Sequence, residues 1–395
     1  MDFQIIDTAE NRDKVAIAVV GYNRLHSIKR LLQSLEKGNY GTDRVPLLIS
    51  IDASGDTELY DYVRSYKWAY GDLYVRIFEE RQGLKKHIFS CGDISRFFRA
   101  VIILEDDLYV SPDFYAYTKT TLDSYENDSS VCGIALYAPK SNGYVGMPFM
   151  PMHKGHDVYL YQDVCTWGEC VTYGMWKRFR EWLAIHENES FEDIEMPRQI
   201  KNWGRAWSKY YYAYMVENGL SFITPYVGYA TNCGEAGEHS LRTTSIAQVP
   251  LEIGSRPSLI MPRTEEMVSY DAYSNNKALY KWLGLNESEL TLDLYGNNEY
   301  YDKRHYVLTT RVLPYKIVKE FGLSFYPIEV NIYYNQSGSG IRLYDTTIAV
   351  NSKSKCRRRG EFGYLSYYLI HYNPRSVLRY IFYYSINAIK RKLGF

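Results

Sequence analysis

Four times between residues 15 and 107 the chain pairs a short apolar run with a helix-like stretch or a turn, and few folds accept that rhythm. VAIAVVGYN (15–23) reads as a buried strand closed by a Gly-Tyr-Asn turn. After it, Ile28, Leu31, Leu32 and Leu35 recur at i, i+3, i+4 and i+7, which is one face of a helix. VPLLISID (45–52) gives a second strand and ELYDYVRSYKWAY a second helix; LYVRIFEE (73–80) and GLKKHIFSCGDISRFF give a third of each, and VIILEDD (101–107) a fourth strand. Strand and helix alternating in this way predict an α/β domain with a mostly parallel sheet and crossover helices on its faces. Ligands of such sheets gather beyond the carboxyl ends of the strands. Asn23 and Arg24, Asp52, and Glu105 to Asp107 stand at three of those ends and are expected to share one crevice.

The acidic triplet is the sharpest chemical signal. Adjacent carboxylates repel and lose hydration beside a buried strand, so Glu105, Asp106 and Asp107 need water or a cation to offset them. Residues two apart on a strand share a side, which groups Glu105 with Asp107 and turns Asp106 the other way. Mg²⁺ and Mn²⁺ take hard oxygen ligands of this kind and keep positions open for diphosphate oxygens. An ion so held neutralises a leaving nucleoside diphosphate. The competing reading is a solvated surface turn.

Composition narrows the rest. Lys plus Arg and Asp plus Glu both total 46, so no globally charged surface suits nucleic acid. Six scattered cysteines form no CxxC pair and have no histidine at ligand spacing, which suggests reduced cytosolic thiols. The segment MDFQIIDTAENRDK is acidic where a secretory signal is basic, and no run reaches the roughly 18 apolar residues of a membrane span. A cytoplasmic location is expected. The 41 tyrosines suit walls around polar, ring-shaped ligands, and equally suit half-buried strands.

Beyond residue 130 the pattern is less regular. VCGIALYAP is strand-like, and CTWGECVTYGMWKRFREWLAIH turns helical. The pattern changes again after Pro250. The expected domains are therefore residues 1–250, an extension over 251–373, and a terminal helix over 374–395. In that helix Leu378, Phe382, Ile386 and Ile389 make an apolar stripe flanked by Arg375, Arg379, Lys390, Arg391 and Lys392. Such a helix fits the headgroup layer at the inner face of an anionic cytoplasmic membrane; packing on its own domain with a solvated basic edge fits as well.

VAIAVVGYNR, LLISIDASGD, ERQGLKK and VIILEDDLYVSPDF occur in the order found in GT-A fold glycosyltransferases, whose metal motif is called DxD, and the chain resembles that group over roughly residues 14–245. It is similar in particular to inverting N-acetylglucosaminyltransferases and to bacterial sugar transferases of capsule and surface-polysaccharide synthesis. The resemblance implies a Rossmann-like, mostly parallel sheet flanked by helices, with a C-terminal α+β extension. It implies metal-dependent transfer, with inversion, from a nucleoside-diphosphate sugar (a UDP-sugar favoured) to a glycan or polyprenyl-linked saccharide. Arg24 and Asp52 match residues that hold the nucleotide, and Arg81 and Lys86 of ERQGLKK join them. Glu105 and Asp106 match residues facing the donor sugar and ribose. Asp107 matches the ligand of Mn²⁺ or Mg²⁺, and His239 is the histidine that would complete the metal site.

One departure stands out. The inverting relatives carry a WDDW segment whose aspartate takes the acceptor proton, whereas this chain has NWGRAW (202–207), with Gly204 and Arg205 at those places. An alcohol remains a poor nucleophile until its proton can leave, so a base is still required. Glu169 is the substitute, with Glu238 and Asp193 as rivals; the bland reading of Glu169 is a carboxylate at a helix start. Trp167, Trp176, Trp203 and Trp207 could line an acceptor site or sit in the core. Two other functions stay open. A sugar-1-phosphate nucleotidyltransferase normally opens with a Gly-rich loop, and GYNRLHSIKR has one glycine; a catalytically silent carbohydrate-binding protein would explain the missing base.

Overall fold

The computed structural model describes residues 3, 5–204, 206–235, 244–254, 256, 258–350, 367, 373, 375, 377–379, 381–383 and 385–386. They fall into two compact units. The larger comprises Met1–Val145, Phe149–Ala278 and Asn297–Glu299, and the smaller Gly146–Pro148, Leu279–Gly296 and Tyr300–Phe395. The pattern change at residue 250 thus falls inside the larger unit.

The first half of the larger unit follows the expected alternation: β1 (Val15–Gly21), α1 (Leu25–Leu35), β2 (Leu47–Ile51), α2 (Thr57–Ser65), β3 (Leu73–Ile77), α3 (Gly83–Gly92) and β4 (Ala100–Glu105). Ile28, Leu31, Leu32 and Leu35 of α1 have no exposed surface, each contributing about 1.5–3 kcal/mol by burial. α2 ends earlier than its pattern suggests, because Tyr66 is extended and lets buried Trp68 donate from Nε1 to the Val45 carbonyl at 2.7 Å.

The chain continues with β5 (Leu108–Val110), α4 (Phe114–Tyr125), β6 (Val131–Ala135), β7 (Val158–Tyr161), β8 (Glu169–Thr172), α5 (Tyr173–His186), α6 (Trp207–Glu217), β9 (Ser221–Pro225), β10 (Ala230–Asn232) and β11 (Ser269–Tyr270). The nine-stranded sheet has the order β11-β7-β9-β6-β8-β4-β1-β2-β3. β3, β2, β1 and β4 run parallel, with Val20 opposite Glu105 and Gly21 opposite Ile51. Their carboxyl ends therefore open on one side, as the alternation requires. β8 is inserted antiparallel between β4 and β6, with Glu169 opposite Ile103 and Ala135. This corrects the helix-start reading of Glu169: the helix begins at Tyr173, where the Thr172 hydroxyl caps it by accepting from the Met175 N–H.

The smaller unit holds α7 (Ala278–Leu283, whose first residue lies in the larger unit), β12 (Leu290–Asp293), β13 (Tyr306–Thr309), β14 (Tyr315–Phe321), α8 (Val330–Tyr333) and β15 (Ile341–Ala349). Its sheet has the order β12-β13-β15-β14. Within it, fully buried Asp293 accepts from Arg311 Nε at 2.7 Å and from the Thr309 hydroxyl at 2.9 Å. No helix among the described residues is long and apolar enough to cross a membrane.

Candidate active site

A cleft opens at the carboxyl ends of β1, β2 and β4, lined by Tyr22, Asn23 and Arg24 after β1, by Asp52 after β2, and by Glu105, Asp106 and Asp107. The start of α3 adds Arg81, Gly83, Leu84 and His87, and Glu235 closes one side. The strand ends predicted to converge do converge.

Arg24 organises the acidic end. Its guanidinium pairs with Asp106 Oδ1 and lies 3.3 Å from Asp107 Oδ2. Burial alone would lower the Arg24 pKa; the two aspartates more than offset that and raise it. Asp106 is 3% exposed, and its pKa is pushed up to about 6 by burial, against the pull of Arg24. Its second oxygen, Oδ2, is enclosed without a hydrogen-bond donor among the described residues. Glu105 is pushed up to about 8, first by burial and then by Asp107 and Asp106. The cluster therefore carries less negative charge at neutral pH than its composition suggests.

These residues fit a hard divalent cation. An enclosed carboxylate oxygen without a donor is costly, by about 1–3 kcal/mol, and a cation would satisfy it. Asp107 is the more accessible carboxylate, its side chain 19% exposed. Among the described residues no three acidic, histidine or cysteine side chains gather to hold an ion alone. Mg²⁺ and Mn²⁺ commonly take one or two carboxylates and complete their shell with substrate phosphates and water.

β5 pairs antiparallel with β10, and the Cys233 N–H donates to the Asp107 carbonyl at 2.8 Å. This ribbon carries Glu235 to α1, where Ser27 and Arg30 both bond its carboxylate. Those partners hold Glu235 below the usual carboxylate range despite its partial burial. Glu235 was not singled out in TNCGEAGEHS, because its partners lie some 200 residues away in sequence. Glu238, His239 and Arg205 lie outside the described residues.

At the other end, Asp52 is 4% exposed and shapes the loop before α3. Its Oδ1 accepts from the N–H groups of Ala53 and Gln82 at 2.9 and 2.8 Å, and its Oδ2 from that of Gly83 at 2.9 Å. It thus caps α3 from another strand, with acceptor capacity left over for a ligand. Arg81 stacks over Tyr22, 4.5 Å from the ring centre. Lys86 is exposed on α3 and does not line the cleft.

His87 escaped sequence reasoning because its position on α3 fits the apolar face as well as Ile88 does. It is 2% exposed, and its Nε2 lies 2.7 Å from the Ser50 hydroxyl. Arg76 donates to that same oxygen from Nε and Nη2 at 3.1 and 2.9 Å. The Ser50 proton is then left for His87 Nε2, which places the ring proton on Nδ1. Burial, and next the Arg76 charge, lower the His87 pKa from 6.5 to about 4. Between those values the unfolded chain takes up a proton that the folded chain refuses, so stability is lost as pH falls from 6.5 towards 4. The loss is expected to reach about 3 kcal/mol. His87→Gln is expected to flatten that limb of the stability curve in denaturant titrations; an unchanged slope would contradict the assignment.

Glu169 is 3% exposed on β8 and lies on the same sheet face as Glu105, diagonally across the strand pair. Gly168 before it has φ +95°, and a side chain there would meet Ala230 Cβ at 3.1 Å, so the turn feeding Glu169 into the sheet requires glycine. Burial first, then the nearby Glu105, raise its pKa well above the carboxyl range. Its carboxyl makes no hydrogen bond among the described residues. Asp193 is exposed in the segment after α5 and does not line the cleft.

The tryptophans divide. Trp203 is 40% exposed, 6.2 Å from Tyr144, and Trp167 is half-buried against Tyr137 at 4.7 Å. Trp207 and Trp176 are 3% and 2% exposed, so both belong to the core and neither can stack on a sugar. Trp176 Nε1 donates to Asp93 at 2.7 Å.

No protein-family model matches the chain, and no curated protein matches it. Solved structures are distantly similar. S. aureus TarS 1–349 in complex with UDP-GlcNAc aligns at 14% identity and TM-score 0.37, over 57% of this chain and 60% of that one. The mannosyltransferase PcManGT from Pyrobaculum calidifontis, in complex with GDP-Man and Mn²⁺, aligns at 15% identity and TM-score 0.35, over 57% and 58%. The chain thus spans about three fifths of each of these structures. At that distance the assignment rests on the residues of the cleft.

Proposed function

We propose that the protein is a glycosyltransferase that moves a sugar from a nucleoside-diphosphate donor, with UDP favoured, to a glycan or lipid-linked saccharide, with inversion. The observation that carries this reading is the enclosed Asp106 Oδ2 beside accessible Asp107, both held by Arg24 at the mouth of a parallel sheet. Asp107 and Asp106 would hold Mn²⁺ or Mg²⁺, and a bound ion supplies Lewis-acid neutralisation of the departing diphosphate. With the diphosphate at that end, Asp52, Tyr22 and His87 line the part of the cleft left for the nucleoside. Surface-polysaccharide synthesis is the setting this chemistry suits.

In the transfer, the acceptor oxygen forms a bond to the anomeric carbon as the bond to the diphosphate oxygen breaks, and the acceptor proton passes to a carboxylate. We assign that role to Glu169. Burial and their mutual repulsion raise both Glu105 and Glu169, so both favour the protonated form at neutral pH and Glu169 acts as the base only after giving up its own proton. Once ionised, a buried carboxylate is a stronger base than a solvated one. Asp193, exposed after α5, and Glu238, outside the described residues, are the alternatives. The reading is tested by incubating the full chain with UDP- and GDP-sugars with and without Mn²⁺. Metal-dependent release of nucleoside diphosphate supports it, and silence with every donor favours a binding protein.

A peripheral contact with an anionic membrane belongs to the same reading. Leu378, Ile381 and Phe382 are 66%, 53% and 67% exposed on helical backbone, with Arg375 and Arg379 beside them. Lys390, Arg391 and Lys392 lie outside the described residues. Removing residues 374–395 is expected to release the protein from phosphatidylserine vesicles in co-sedimentation; unchanged partitioning would contradict the contact.

A further inference from the structure

The smaller unit carries a row of aromatic rings that the chemistry of the cleft does not use. Trp282 of α7 stands 5.0 Å from Tyr333, which stands 5.0 Å from Tyr334, which in turn stands 6.1 Å from Phe325. Phe325, Tyr333 and Tyr334 are 42%, 57% and 67% exposed. Neither tyrosine hydroxyl nor the Trp282 indole N–H has a hydrogen-bond partner among the described residues.

The row is rigidly mounted. Fully buried Asn331 accepts from the N–H groups of Ser324 and Phe325 at 2.7 and 3.0 Å, and donates to the carbonyls of Phe325 and Ile328 at 2.9 and 3.0 Å. One buried amide thus fixes the loop that carries Phe325 to the helix that carries the tyrosines. Rings held in place by the fold lose little freedom when a partner covers them.

The chemistry around the row selects the partner. Residues 322–340, GLSFYPIEVNIYYNQSGSG, contain one charged side chain, Glu329, which is 3% exposed. Asn335, Gln336, Ser337 and Ser339 follow the tyrosines with uncharged donors and acceptors. Exposed Lys281 precedes Trp282 on α7, and a lone lysine falls short of the basic cluster that an anionic lipid surface or a nucleic acid requires. Aromatic faces set at 63° (Trp282 and Tyr333) and 80° (Tyr333 and Tyr334) to one another, beside hydroxyl, indole and amide groups, match the C–H faces and hydroxyl rims of successive rings in a bent chain.

We propose that this row binds an uncharged oligosaccharide by stacking of sugar rings on Tyr333, Tyr334 and Trp282. That the bound chain is the acceptor or its product rests on the transferase reading; the binding itself needs neither nucleotide nor metal. The test is calorimetric titration of the full chain, without nucleotide or metal, with chitotetraose and maltoheptaose. At least one is expected to bind, and Tyr333→Ala/Tyr334→Ala to weaken it about tenfold or more, while Tyr333→Phe/Tyr334→Phe keeps most of the affinity through its rings. UDP uptake at the cleft is expected to be the same in all three proteins. Binding of neither sugar at millimolar concentration, or equal binding by the alanine variant, would overturn the proposal. Loss of Mn²⁺-dependent UDP uptake in the wild-type chain would instead sink the transferase reading and leave this one standing.

Discussion

Asp107→Ala is expected to reduce metal-dependent nucleotide-sugar turnover roughly 10²–10³-fold, the usual cost of removing a group that stabilises developing charge on a leaving group. The fold is expected to survive. Among the described residues the Asp107 side chain pairs only with Arg24, at 3.3 Å, and its backbone carbonyl is held independently by the Cys233 N–H. Arg24 keeps Asp106 as a partner in the variant, so no buried charge is stranded. Stability should therefore change by no more than about 1 kcal/mol. Turnover at the wild-type rate, measured as diphosphate release with Mn²⁺ present, would remove Asp107 from the chemistry.

Glu169→Gln carries the second large effect. Loss of a general base typically costs 10²–10⁴-fold in kcat, and the amide keeps the shape of the carboxyl while being unable to take a proton. Nucleotide affinity should be unaffected, because Glu169 does not line the nucleotide cleft. Thermal stability should hold or rise, since a neutral amide replaces an acid 3% exposed beside Glu105. A kcat within a few-fold of wild type would return the missing base to Asp193, or to Glu238 outside the described residues. The split between kcat and nucleotide affinity separates a base from a residue that merely holds the strand.

The parallel half of the sheet is legible in the sequence because strands buried on both faces read as continuous apolar runs, and VAIAVVG, LLISI and AVIILE leave little alternative. The carboxyl-end rule then places Arg24, Asp52 and the acidic triplet without further information. β8 is not legible. Four residues, ECVT, run directly into a helical pattern, and their pairing is decided by β4 and β6 on either side, which the local sequence does not encode. His87 illustrates a different gap. Periodicity counts it as core, and its chemical interest comes from Ser50 and Arg76 on two other strands. Trp207 reads from the sequence as either an acceptor wall or core, and packing against Tyr211 at 6.4 Å puts it in the core. Residues whose role depends on one strand's end could be read from the sequence; those whose role depends on two or three distant elements could not.

The central claim is that Asp106 and Asp107 admit a divalent cation which in turn admits a nucleoside diphosphate. Calorimetric titration of UDP into the full chain, once with Mn²⁺ and once with EDTA, tests it most directly. Saturable uptake with Mn²⁺ that disappears with EDTA is the predicted result. No uptake in either condition, or equal uptake in both, would contradict it.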